Sequence, residues 1–432
     1  MTLFLNTSLK ERRVACDTIA RMGYFSTEAY KGVRDFYPED MAFLKYFFET
    51  CRTAVEKMGY VEYGASILEP AELYRAKGAE NEELAREQTY TFTDRGGREV
   101  TLRPEMTPTV ARMVAARRRE LGFPLRLYSL PNLFRYERPQ QGRLREHWQL
   151  NVDLFGSRSP AADMEILSAA YEIMRAFGAT EEDFVIRVND RRSVEAFMET
   201  HGLSAEEQSA FLRLLDGKRK MSDEAFETGL SELGIPPAAL PSSAPAELAQ
   251  MLAEFEAAGM RNIVYAPDIV RGFAYYTGMV FEVYDTHEQN PRALFGGGRY
   301  DNLTALFDSE PVPGVGFGMG DVRLRDFLAL RNLLPPFETP TKLYIALADA
   351  GLALEAEEIA RMLRAAGTHV AVDFGERKIG DQIKAAAKNG IPFLFVLGEN
   401  ELASQTCALR NVRTGHERTV AFGDIPAAIK AP

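Results

Sequence analysis

The sequence predicts an α+β fold: an antiparallel β-sheet core with amphipathic helices, a helical insertion, and a C-terminal α/β domain. Three observations carry this. Residues 147–154 alternate strictly, with Trp148, Leu150, Val152 and Leu154 on one face of a strand and His147, Gln149, Asn151 and Asp153 on the other. Strand-like runs joined by short turns precede that segment, which is the mark of antiparallel pairing. After Pro335, Pro336 and Pro340 the pattern changes to β-α-β-α-β, the mark of a separate α/β domain.

Residues 1–30 have no clear pattern and read as an extension. Gly32 to Pro38 is a turn, after which Met41, Leu44, Phe48, Cys51 and Val55 recur at helical spacing. Glu39 and Asp40 stand in the first turn of that helix, where the helix dipole favours them. Runs 90–94 and 98–102 flank Arg95, Gly96 and Gly97 as a hairpin. Pro104 ends the second run, and Thr107 then reads as an N-cap with Pro108 at the first helical position. Strands over 126–130 and 132–136 lead into the alternating segment. Met164, Ile166, Ala170, Ile173 and Phe177 mark another amphipathic helix, closed by Gly178.

The stretch 193–262 is rich in Glu, Ala, Leu and Lys, with breaks at Pro236-Pro237 and Pro241 to Pro245, and reads as the helical insertion. Strand signals resume over 268–285, followed by Gly296 to Gly298 and the glycine-dense run 314–320. In the last domain, strands are expected over 342–347, 369–373 and 392–397, and helices near 353–366 and 379–389. The resulting division is an extension 1–30, a main domain in two parts, 31–192 and 263–335, around the insertion 193–262, and a C-terminal domain 341–432.

Bulk properties narrow the function classes. A chain of 432 residues is too long for one core and has ample apolar material, 46%. No window approaches the roughly 18 consecutive apolar residues of a membrane span. Met1 to Leu5 is apolar, but Lys10, Glu11, Arg12 and Arg13 follow it, the wrong order for a secretory signal. Cys16, Cys51 and Cys407 lie far apart, so neither a disulfide framework nor a zinc site is indicated. A cytoplasmic protein is expected. The net charge of -11 argues against non-specific nucleic-acid binding but permits a localised basic face for one structured RNA.

The residues that point to chemistry cluster around the alternating strand. Arg135 and Glu137 share one strand face; an arginine can hold a phosphate or carboxylate, and a carboxylate can accept from an amino group. The same spacing also suits a surface ion pair. Arg138, Arg143 and Arg145 surround Pro139 and Gly142, as phosphate contacts or as a solvated turn. The run Gly316 to Gly320 suits close backbone approach and ends at Arg323, at what reads as a helix start; it lacks the Walker ending. Residues 271–278 pack Arg271, Tyr275, Tyr276 and two glycines into eight positions, and Glu105 and Thr107 sit just past a strand end.

Together these segments resemble the class II aminoacyl-tRNA synthetases, and specifically the histidyl-tRNA synthetase family. Residues 134–156 resemble the family's motif 2, and 316–323 its motif 3. Residues 102–107, 271–276 and 297–301 resemble its histidine-specific segments, and the likeness runs from Gly32 to the C-terminus.

The resemblance implies a histidine–tRNA ligase with a class II catalytic core and a C-terminal anticodon-binding domain. Its substrates would be L-histidine, ATP with Mg²⁺, and tRNA(His). Its assembly would be a homodimer, with no membrane association. Glu105, Thr107, Gln149, Asp153, Tyr275, Tyr276 and Tyr300 would line the histidine pocket. Arg135 would meet the α-phosphate and the histidine carboxylate, and Arg271 would stabilise charge on the α-phosphate. Glu137, Arg143, His147 and Arg323 would bind ATP, Glu137 at the adenine amino group and Arg323 stacked on the ring. Gln140 would lie near the tRNA acceptor end.

Four positions depart from the family's pattern. His147 stands where it usually has phenylalanine, Asp153 where glutamate is common, Phe273-Ala274 replaces Leu-Asp, and Ser66 replaces a motif 1 proline. The rival reading is a regulatory paralogue serving ATP phosphoribosyltransferase in histidine biosynthesis. Retained Arg135, Arg271 and Arg323, and the presence of 341–432, favour the ligase.

Overall fold

The computed structural model describes residues 25–75, 88–138, 142–241, 243–270, 275–375 and 377–430, with Lys220 described by its backbone alone. The chain forms two compact units, Met1–Leu334 and Pro335–Pro432. Among the described residues, no helix is long and apolar enough to cross a membrane. Arg271, Gln140 and most of the expected extension 1–30 lie outside the described residues.

The first unit contains β1 (Val61–Glu62), β2 (Leu68–Pro70), β3 (Tyr90–Thr93), β4 (Glu99–Leu102), β5 (Leu125–Ser129) and β6 (Asn132–Phe134). It continues with β7 (Glu146–Phe155), β8 (Phe184–Asp190), β9 (Ile263–Tyr265), β10 (Met279–Asp285), β11 (Ala293–Arg299) and β12 (Gly314–Gly320). The main sheet runs β1-β5-β7-β12-β11-β10-β8-β9, with β6 paired to β7. Its interior is antiparallel, and only the terminal pairs β1/β5 and β8/β9 are parallel. The hairpin at 95–97 belongs to a small separate sheet, β2-β4-β3.

The alternation in β7 has the expected cause. Leu150, Val152 and Leu154 enter the main apolar core beneath helices Pro38–Glu56 and Pro160–Ala176, with Trp148 packed against it. The opposite face points into the site. Helix Thr107–Arg117 covers that side of the sheet, its Val110, Ala111 and Val114 packing with Val280, Tyr284 and Tyr300.

Several expectations change. Thr107 is the first helical residue rather than the cap, and no side chain caps this helix. The stretch 178–193 contains strand β8, which buries Phe184, Ile186 and Val188 in the main core. The strand expected over 268–285 is confined to Met279–Asp285. Within 193–262, Val194 to Ile235 form their own apolar cluster. Helix Ala246–Ala257 instead sends Leu248, Met251 and Phe255 into the main core.

In the second unit, β13 (Leu343–Leu347), β14 (Val370–Val372) and β15 (Phe393–Leu397) are parallel in the order β14-β13-β15. Helices Ala353–Ala365 and Ile379–Lys388 connect them. An antiparallel hairpin, β16 (Thr406–Asn411) and β17 (Glu417–Ala421), extends the sheet beyond what the sequence pattern suggested.

Candidate active site

The polar face of β7 is the wall of a cavity of about 860 Å³ in the first unit. It falls within the size range of sites for small organic ligands. Of the residues expected in the site, Glu105, Thr107, Arg135, Glu137, Arg143, His147, Gln149, Tyr275, Tyr276, Tyr300 and Arg323 all line it. The sheet brings them together because β7 lies beside β12, whose glycines leave room for the β7 side chains. A Cβ at Gly318 would stand 2.4 Å from Gln149 Nε2, and one at Gly316 would stand 2.4 Å from the Val152 carbonyl oxygen. The glycine run is thus a condition of the pocket.

At one end stand carboxylate and hydroxyl groups. Tyr275 Oη donates to Glu105 Oε2 at 3.3 Å, and Tyr74 Oη donates to the Glu105 carbonyl at 3.2 Å. Gln149 Nε2 donates to Asn151 Oδ1 at 2.8 Å. With its amide nitrogen held this way, Gln149 is kept in one orientation. Asp153 departs from expectation. It is 3% exposed and stands behind Tyr300 rather than on the cavity surface, with its Oδ1 accepting from the Tyr300 hydroxyl. Its short side chain ends behind the wall that Tyr300 and Gly316 form. Burial pushes its carboxyl up to about 7 against the opposing pull of the Tyr300 hydrogen bond.

At the other end the cavity is rich in arginine. Arg135 Nε donates to the Pro104 carbonyl at 2.9 Å, which fixes the guanidinium at the wall. Glu137 Oε1 lies 4.0 Å from Arg135 Nη1, and Glu137 Oε2 lies 3.3 Å from Arg143 Nη1. Burial, then repulsion from Arg143 and Arg292, lowers the proton affinity of Arg323. An arginine remains cationic under such pressure. The three guanidinium groups therefore form a cationic cluster that favours an anion.

His147 lies beside Gly320 on the same wall. Burial, then Arg135, lowers its pKa to about 3, against a hydrogen bond with Gln149, so the imidazole is neutral at physiological pH. Asp321 locks the strand-to-helix joint beneath Arg323. Its Oδ1 accepts from the Trp148 amide at 2.9 Å and its Oδ2 from Arg34 Nη2 at 2.6 Å. Sequence reasoning missed this buried pair. It also missed Asn151, Asp216, Arg219, Glu282, Tyr284 and Arg292 on the cavity wall. Asn151, Glu282 and Tyr284 had a local signal, their places in strand alternations.

The family model for histidyl-tRNA synthetase matches residues 32–239 and 222–323, and an anticodon-binding domain model matches 342–431. The histidine–tRNA ligase of Leptospira biflexa is 41% identical over 94% of this chain and 98% of its own length. That of Thermoplasma volcanium is 37% identical over 92% and 97%. The chain belongs to the histidyl-tRNA synthetase family. The fold agrees: the solved histidyl-tRNA synthetase of Nostoc sp. PCC 7120 superimposes with a TM-score of 0.79 at 24% identity, over 94% of this chain and 99% of that one. As a member of this family the protein is an aminoacyl-tRNA ligase. The two ends of the cavity then acquire a chemical sense, since such a ligase must hold an amino acid and a nucleotide side by side.

Proposed function

We propose that the protein joins L-histidine to tRNA(His) in two steps. The histidine carboxylate attacks the α-phosphorus of ATP, forming the histidyl-adenylate and releasing pyrophosphate. A ribose hydroxyl at the tRNA 3′ end then attacks the activated carbonyl and displaces AMP. The observation that carries this reading is the joining, in one cavity, of a carboxylate-hydroxyl end and an arginine end, with Arg135 among the lining residues.

In this reading Glu105 receives the histidine ammonium, with Tyr275 holding the carboxylate and Thr107 beside it. Gln149 and Tyr300 face the imidazole, and Tyr276 closes the wall. Asp153 acts through Tyr300, orienting its hydroxyl. Arg135 neutralises both the attacking carboxylate and the α-phosphate, and Arg271 joins it there. Glu137 accepts from the adenine amino group. The neutral His147 ring and the Arg323 guanidinium hold the adenine between them, with Arg143 at the phosphates. Gln140 faces the tRNA end. Catalysis is then chiefly orientation and preorganised charge.

Mg²⁺ enters this scheme with the ATP phosphates. Such ions need only one or two protein carboxylates beside phosphate and water. Among the described residues no three carboxylate, histidine or cysteine ligands gather, and Glu282 offers a carboxylate on the wall, which suits an ion carried by the nucleotide. The proposed assembly is a homodimer, for which exposed Val61 and Phe92, at 64% and 48%, offer apolar surface. The proposed compartment is the cytoplasm. A regulatory paralogue without ligase activity has no need of Arg135, Arg143 and Arg323 on one cavity or of a matched anticodon-binding segment.

The test is histidine-dependent exchange of labelled pyrophosphate into ATP. Exchange that requires histidine is expected. Its absence from well-folded protein at saturating histidine would overturn the proposal.

A further inference from the structure

The helical insertion reaches the cavity. Asp216 and Arg219 line it, whereas the rest of the lining comes from the sheet, its loops and the first turns of helices Thr107–Arg117 and Asp321–Leu330. Arg219 lies in the short 3₁₀ turn Lys218–Lys220, which follows helix Ala205–Gly217. Phe211 and Leu215 anchor that helix in the insertion's own core, and Lys218 lies 4.9 Å from the Phe226 ring. The turn is thereby fixed on the insertion with Arg219 pointing away from it.

Arg219 rests its guanidinium 4.1 Å from the centre of the Tyr284 ring, a cation–π contact. The half-buried Arg187 brings its guanidinium to 5.3 Å from the same ring. Tyr284 pairs across the sheet with Ala293, the neighbour of Arg292. Arg292 in turn acts on Arg323, as does Arg143. Arg143, Arg323, Arg292 and Arg219 thus all line one cavity. Among the described residues no carboxylate forms an ion pair with Arg219. A guanidinium lying on an aromatic face keeps its N–H edge available to an anion.

We propose that Arg219 is a further substrate-contacting residue, an insertion-borne cation that holds the β- and γ-phosphates of ATP and the departing pyrophosphate. The inference rests on the ligase reading above and deepens it at the polyphosphate end. Arg135 serves the α-phosphate in that reading and Arg323 the adenine, which leaves the terminal phosphates to the remaining cations. The contact would also tie the insertion to the state of the nucleotide, since Arg219 meets the phosphates only while its turn stays docked on Tyr284.

The test compares Arg219→Gln and Arg219→Lys with the parent in the full chain. Steady-state exchange measures KM for ATP and for histidine, and calorimetric titration with inorganic pyrophosphate measures its Kd. Loss of one charge-assisted contact should raise KM for ATP and Kd for pyrophosphate about tenfold in Arg219→Gln. KM for histidine should stay unchanged, and Arg219→Lys should recover most of the loss. Unchanged ATP and pyrophosphate constants, with a raised KM for tRNA in the charging reaction, would assign Arg219 to tRNA phosphates and overturn the proposal. A uniform rise in all these constants together with a fall in Tm, not rescued by lysine, would make it structural and also overturn it. Absence of exchange in the parent would instead overturn the ligase reading, and the pyrophosphate titration would still decide the role of Arg219.

Discussion

Tyr300 donates its hydroxyl hydrogen to Asp153 Oδ1 behind the cavity wall, and Asp153 Oδ2 is buried without a hydrogen-bond partner among the described residues. An aspartate so placed resists ionisation, and burial carries its pKa to about 7. Because that value exceeds the ordinary aspartate range, the folded state holds the proton more tightly than the unfolded chain. The protonated carboxyl therefore supports folding at low pH, and that support is lost as pH rises from about 4 through 7. Asp153→Asn cannot ionise. The Tm difference between Asp153→Asn and the parent should move in favour of the variant between pH 5 and pH 8. Thermal melts across that range measure it, and a difference that stays flat would mean that Asp153 does not titrate there.

That pair also marks the limit of what the sequence discloses. The face of β7 was legible because one side meets a core and the other a polar cavity, which writes a two-residue period into the chain. The depth of Asp153 within that face was not, since it depends on Tyr300, 147 positions away. Arg34 and Asp321 meet across 287 positions for the same reason. Arg219 belongs to an insertion with its own core, so no local pattern connects it to the sheet. Strand β8 is a different case. Phe184, Ile186 and Val188 do alternate into the core, and the signal was present but short. The roles that the family resemblance implies needed the cavity to stand beside one another.

His147 provides a test of the adenine end. Its pKa of about 3 leaves the ring neutral, so stacking on adenine should not vary with pH in the physiological range. A phenyl ring offers more apolar area and no competing hydrogen bonds. His147→Phe should lower KM for ATP a few-fold, and its ratio to the parent value should be constant from pH 6 to pH 8. A ratio that changes with pH would show an ionising imidazole, and a raised KM would show that a ring nitrogen contacts the nucleotide.

Gly318 and Gly297 separate pocket shape from fold. A Cβ at Gly318 meets the amide end of Gln149 at 2.4 Å, a side chain that can yield by giving up its bond to Asn151. A Cβ at Gly297 meets the Gly316 carbonyl oxygen at 2.0 Å, which is backbone within the sheet. Gly318→Ala should therefore keep most of its stability while KM for histidine rises, by about tenfold if one polar contact is lost. Gly297→Ala should lose stability by about 1–3 kcal/mol or more, as overpacking in a core does. Denaturant melts and histidine titration of the exchange rate distinguish the two. Equal stability losses would mean that Gln149 has no room to yield.

The second unit bears on the second step of the proposed reaction. The cavity is built wholly from residues of Met1–Leu334, whereas the matched anticodon-binding segment, 342–431, lies in Pro335–Pro432. The second unit has its own apolar cluster around Leu343, Ile345, Phe395 and Leu397, so its removal takes no side chain from the main core. A chain ending at Leu334 should keep histidine-dependent pyrophosphate exchange within a few-fold of the parent. Charging of tRNA should fall by about 10²-fold or more, the scale expected when several phosphate and base contacts are removed together. Exchange and charging assays on the same preparation measure both. Equal losses in the two assays would mean that the second unit supports the fold of the first rather than holding the tRNA.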